Sequence, residues 1–217
     1  AIILLDNYNT ALAFKPTVPS DQIQQPQQQK QSQQSDRNIQ VSEEYVFVKK
    51  WGSKGTGPGQ FTNLRDIAID SSGNVYVIDA DRIHKFDSNG NYKTQWGSNG
   101  TSDGQFHWPF DIAIDSFGYV YVVESDESLS PDEIDTARIQ KFDSNGNYVT
   151  KWGSEGKGDG QFSAPVGIAT DSSDNVYVTE GFGNRIQKFD SNGTFITKWG
   201  SKGNGTGQFF SPSAIAV

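Results

Sequence analysis

The tripeptide Trp-Gly-Ser occurs four times, at Trp51, Trp96, Trp152 and Trp199, with spacings of 45, 56 and 47 residues. After each copy a glycine-rich stretch ends in Gly-Gln-Phe: GTGPGQF, GTSDGQF, GKGDGQF and GNGTGQF. Next come DIAID, DIAID, GIATD or AIAV, and then NVYVID, YVYVVE or NVYVTE. RIHKFD, RIQKFD and RIQKFD follow, and NYKTQWG, NYVTKWG or TFITKWG closes each complete unit. Self-similarity at such a period predicts an array of supersecondary units, each burying a face on its neighbour.

Within a unit, apolar and polar residues alternate with period two, as in Val75 and Val77 and then Ile83 and Lys85, which predicts strands. DSSGN joins the first strand to the second and DSNGN the third to the fourth, and both read as hairpin turns needing a positive φ. Four short antiparallel strands every roughly 40–50 residues predict the blade of a β-propeller. The expected fold is therefore all-β: an incomplete propeller of about three blades, with a leading fourth strand (EYVFVKKWG, 44–52) and a trailing first strand (SPSAIAV). On this reading the chain is about half a propeller, and the missing blades lie downstream.

The recurring residues resemble the NHL repeat family. The matching pattern is Gly-Gln-Phe, a proline three residues on (Pro109, Pro165, Pro212), Ile-Ala-x-Asp, Asn-Val-Tyr-Val, Arg-Ile-Gln-Lys-Phe-Asp and Trp-Gly, over residues 45–217. The first unit departs from it with Leu64 in place of the proline. The resemblance implies a closed ring that is typically six-bladed. It also implies relatives that bind proteins, ligands or RNA, and related propellers that are amidating lyases or lactonase-like hydrolases.

Upstream of the repeats the composition changes. AIILL and the small-x-small triplet ALA make residues 1–13 a candidate residual signal peptide, and the expected location is secreted or cell-surface. Residues 14–43 read as a disordered linker, because nine of the thirteen residues from Gln22 to Gln34 are glutamine, with no apolar period. Residues 44–217 are the expected partial propeller.

The formal net charge of −8 disfavours nucleic acid and anionic membranes as partners, and no run of basic residues offsets it. No stretch approaches the about 18 apolar residues of a membrane span. With no cysteine and only His84 and His107, this segment supplies no thiolate or multi-histidine metal site, and no cofactor is expected.

The glycine-rich GSEGKGDGQF (153–162) is not a phosphate cradle. Such a cradle leads from a strand into a helix, whereas this one lies between strands, occurs four times and lacks its lysine at that place in the other copies, as in Gly100 to Phe106 and Gly203 to Phe209. Its expected role is the joint between blades, with Phe162 packed in the seam. DSNGN is not a calcium loop either, since it lacks the further carboxylates and the twelfth-position glutamate of an EF-hand.

Function is expected where the repeats disagree, on the loops before the first strands and between the second and third. The ligand-binding candidates there are Asp66 and Asp111 entering first strands, Asp79, Glu124 and Glu180 ending second strands, and His107 with Trp108. Two readings of the carboxylates stand open: a site for a cation, an amine or a basic peptide, or a solvated rim paired to Arg82, Arg138 and Arg185. An insertion, SDESLSPDEIDTA (125–137), adds five acidic residues to this face. His84 stands where the other units have Gln140 and Gln187, and reads as a substitution on a strand rather than a ligand. The expected function is a non-catalytic binding module for a protein, peptide or small ligand. The alternative is a lyase or lactonase-like hydrolase whose metal site is completed by further blades.

Overall fold

A computed structural model of the chain describes residues 2–5, 11–17, 44–125 and 136–217. The glutamine-rich tract and most of the acidic insertion lie outside the described residues. Strands β1 (Ile2–Leu5), β2 (Ala11–Thr17), β3 (Glu44–Trp51), β4 (Ser53–Lys54) and β5 (Gln60–Phe61) come first. The first repeat holds β6 (Leu64–Ile69), β7 (Val75–Asp79), β8 (Arg82–Phe86) and β9 (Tyr92–Trp96). The second holds β10 (Pro109–Ile114), β11 (Val120–Glu124), β12 (Arg138–Phe142) and β13 (Tyr148–Trp152). The third holds β14 (Pro165–Thr170), β15 (Val176–Glu180), β16 (Arg185–Phe189) and β17 (Phe195–Trp199).

Each repeat is one four-stranded antiparallel sheet with its strands in chain order, so the repeats are blades of an open, incomplete propeller. Among the described residues there is no helix. The turns form as the sequence predicts. Asp70, Asp87, Asp143, Asp171 and Asp190 each turn one carboxylate oxygen on the amides two and four residues ahead, at 2.8–3.0 Å. These Asx bonds absorb the acceptors that a calcium reading would need. The Asn91 side chain and amide, for example, hold the Asp87 carboxyl down at about 2.

The start of the chain pairs with the propeller. β1 pairs antiparallel with β2 and β2 with β3, setting Ala11 opposite Trp51. The span read as an export remnant thus includes a strand pair, and β3 is the edge of a three-stranded sheet.

Alternation along the strands misleads on one point. The outer strands β9 and β13 do alternate between half-buried and exposed residues, but β7 and β11 are buried at every position. The reason is that a blade presents both of its faces to neighbours, so its middle strands have no solvent side. One apolar cluster joins Tyr76, Ile78 and Ile83 of the first blade to Ile112, Val120, Val122 and Phe142 of the second. The next joins Ala113, Tyr121, Val123 and Ile139 to Phe162, Ile168, Val176, Val178 and Phe189. Phe61, Phe106 and Phe162, each closing a Gly-Gln-Phe, are fully buried, the last two in these seams. Gly153 makes room for the joint: at φ 100° its Cβ would stand 2.4 Å from the Phe162 ring.

The repeated tryptophans lock one blade to the next. Trp96, ending β9, lies 6.2 Å edge-on from Tyr76 of its own blade and 6.0 Å from Phe142 of the next. Its indole covers Gly146 in the third-to-fourth turn of that next blade, where a Cβ would stand 2.5 Å away. Trp51 covers Gly90 and Trp152 covers Gly193 in the same way.

Gly146 therefore answers two requirements, a positive φ of 87° and the indole, whereas at Gly104, with φ 80°, nothing lies within 4 Å of where a Cβ would stand. Gly104→Ala is expected to cost only the left-handed backbone term, about 1–2 kcal/mol. Gly146→Ala should cost clearly more, because the Trp96 ring must also move. Urea denaturation of the two variants measures the difference, and equal losses would show that the indole contact contributes nothing.

Candidate functional site

The two sets of variable loops meet on one side of the blades. The amides of Ala80, Ser125 and Gly181, on loops after second strands, donate to the carbonyls of Asn63, Trp108 and Ala164, on loops before first strands. Trp108, Ala164 and Ser211 hold the same place in successive repeats and the same left-handed backbone, at φ 54°, 52° and 51°. For alanine and serine this conformation is a modest strain, while for a residue as bulky as tryptophan it is an outlier.

The strand-end carboxylates are buried and saturated. Glu124 accepts from Arg138 Nε at 3.0 Å, Gln140 Nε2 at 2.6 Å and the His107 amide at 2.8 Å. Glu180 repeats the pattern with Arg185 Nε at 2.6 Å, Gln187 Nε2 at 2.8 Å and the Ser163 amide at 2.8 Å. Asp79, one methylene shorter, takes the Thr62 and Asn63 amides at 2.7 and 2.6 Å and Arg82 at 2.9 Å. Burial alone would raise its carboxyl, yet His84, these amides and Arg82 together hold it well below the usual range. In each blade the carboxylate thus ties the loop before the first strand to the third strand.

His84 fills the place of the glutamines without their bonds. It is fully buried, 5.3 Å from Phe61 edge-on and 6.3 Å stacked on Phe86. Its Nε2 stops 3.6 Å from Asp79 Oδ2.

Asp66 and Asp111 bridge first strands of successive blades. Asp66 Oδ2 accepts the Ile112 amide at 2.9 Å, and Asp111 Oδ2 accepts the Ile168 amide at 2.9 Å. Asp111 Oδ1 also accepts from Ile112, at 2.8 Å, so two carboxylates converge on one N–H. Burial, with the bond and charge of Asp66 added, pushes the Asp111 carboxyl up to about 8, so it is protonated at neutral pH. The third blade has Gly167 here, and no carboxylate makes the next bridge.

Arg65 is a residue of this face that sequence reasoning passed over. Its guanidinium carbon lies 4.8 Å from the centre of the Trp108 ring and 5.7 Å from that of Phe110, across the seam between blades. Its Nε is buried without a hydrogen-bond partner, and among the described residues Arg65 forms no ion pair. Trp108, above it, keeps 49% of its surface exposed. His107 stands 6.5 Å from Trp108, ring edge to ring face. The signal was available: the corresponding residues in the other units are Phe110, Val166 and Ser213, so Arg65 alone is charged. Of the sequence candidates, the structure brings His107 and Trp108 together, and sets Asp66 with Asp111 and each strand-end carboxylate in separate bridges. Among the described residues no three His, Cys, Asp or Glu side chains converge to hold a metal ion.

No protein-family model and no curated protein matches the chain. Solved structures do. A streptogramin B lyase is similar over 71% of this chain and 44% of its own, at 18% identity and a TM-score of 0.50. U3-55K is similar over 67% of this chain and 40% of its own, at 12% identity and a TM-score of 0.49. Hydrazine synthase of Kuenenia stuttgartiensis is similar over 75% and 42%, at 11% identity and a TM-score of 0.48. The chain spans less than half the length of each. The likeness to the lyase shows a propeller fold. No helix among the described residues is long and apolar enough to cross a membrane.

Two outcomes are expected of the carboxylates. Because folded Asp111 keeps its proton up to about 8 while the unfolded group loses it near 4, its contribution to stability falls as pH rises across that window. Asp111→Asn, which keeps a donor and an acceptor, should therefore gain stability relative to the parent between pH 5 and 8. Denaturation curves across that range measure the difference, and a flat difference would mean that Asp111 is ionised. Glu124→Ala, in turn, strands the buried Arg138 and should cost about 3–5 kcal/mol, read from the same denaturation midpoint.

Proposed function

We propose that this chain is a non-catalytic interaction module of the NHL repeat kind that works outside the cytoplasm. It binds a protein, peptide or small ligand on its variable loop face. The observation that carries the reading is Trp108, a large apolar ring half exposed on a strained backbone where the other repeats place small residues. Strain of this kind persists where the surrounding structure enforces it, and it concentrates at binding and catalytic sites. The carboxylates of the same face are taken up in holding the loops, so the face has a rigid base under residues that differ from blade to blade. The NHL kinship is supported by the recurrence of its motifs over residues 45–217, and the location by the apolar start and the glutamine-rich tract behind it.

Selection of displayed peptides and small-molecule libraries on the immobilised chain tests the reading. Enriched binders should be lost when Trp108 and His107 are replaced by the Ala and Ser of the third repeat. They should survive changes at Ser72, Asn89 and Asn145 in the opposite hairpins. Loss with the opposite-face changes alone would sink the proposal.

A further inference from the structure

Among the described residues, Arg65 is the arginine of the variable face that holds no carboxylate. Every other arginine among the described residues from 66 onward is engaged: Arg82 with Asp79, Arg138 with Glu124 and Arg185 with Glu180. Arg65 is instead clasped by Trp108 and Phe110, which belong to the neighbouring blade. Stacking uses the faces of a guanidinium and leaves its in-plane N–H donors directed outward, in the fork that matches a carboxylate. No acceptor among the described residues takes those donors, and Nε is buried without a partner.

We infer that Arg65 and Trp108 form a recognition site for a small carboxylate carrying an apolar or aromatic body. The inference rests on the reading of the variable face as a binding surface and names what that face takes. The carboxylate is received by the edge of the guanidinium, and the body lies against the exposed indole. Small size follows from the charge of −8, which repels polyanions and leaves room for a single negative group. A planar two-oxygen anion fits the fork better than a tetrahedral one. The neighbouring carboxylates do not compete: Asp66 is committed to the Ile112 amide and Asp111 to Ile112 and Ile168.

Titration calorimetry of the full chain with phenylacetate, phenylacetamide and phenyl phosphate tests this. Phenylacetate should bind saturably, and the amide, of the same shape without charge, roughly tenfold more weakly or worse. Arg65→Gln should lose the preference for the acid over the amide. Arg65→Lys, which keeps charge but not the fork, should retain only part of it. Trp108→Ala should weaken both ligands while keeping the thermal midpoint, because Ala164 already holds the same backbone conformation in the third blade. Equal binding of acid and amide, unchanged binding by a folded Arg65→Gln, a preference for phenyl phosphate, or no saturable phenylacetate binding would each overturn the inference. A peptide that still needs Trp108 but ignores Arg65→Gln would overturn this inference and leave the binding-face reading standing.

Discussion

The seam between blades is the constraint on which the rest of this structure depends. Each sheet is apolar on both faces, so no blade is satisfied alone, and the middle strands β7 and β11 are buried throughout. Trp96 and Trp152, closing the first two blades, each sit on a turn glycine of the next, flanked by a tyrosine behind and a phenylalanine ahead. Two residues about 40 to 50 apart in the chain are thereby matched in volume, since a side chain on the turn would occupy the space of the ring. A repeat of this sort carries its own docking instructions and hands them on to its neighbour.

Polar contacts follow the same seams. Carboxylates that a linear reading gathers into one acidic rim are divided between two structural tasks. Those ending second strands fasten a loop to an arginine in their own blade, and those entering first strands reach the amide of the next blade. Confining two carboxylates at one N–H keeps a proton on Asp111, because a second charge there would meet both burial and Asp66. With these groups occupied, Arg65 is left without a carboxylate among the described residues, beside a half-exposed indole.

Much of the architecture was legible. Period-two patterning with Asn-Gly turns marked the strands, and the recurrence of Trp-Gly marked the blades. Gly-Gln-Phe was correctly read as a joint, with Phe162 in the seam. The double-sided burial of the middle strands was harder to see, because alternation along a strand says that one face is apolar and is silent when both are. Arg65 was missed because the search for chemistry looked for acids, histidines and known spacings. Trp108 was found as a residue, but its strained backbone and its arginine partner have no local signature.

Side-chain alternation, turn residues and repeated aromatics are short-range properties, so the amino-acid sequence by itself determined the strands, their order and the repeating blade. Which groups remain available to a ligand was decided only by the tertiary structure. Whether a carboxylate is free depends on amides that lie 46 and 57 residues away, as for Asp66 with Ile112 and Asp111 with Ile168. Whether an arginine is exposed to a ligand depends on the ring that a neighbouring blade brings over it. Packing of one blade on the next sets both, and no window along the chain contains both partners.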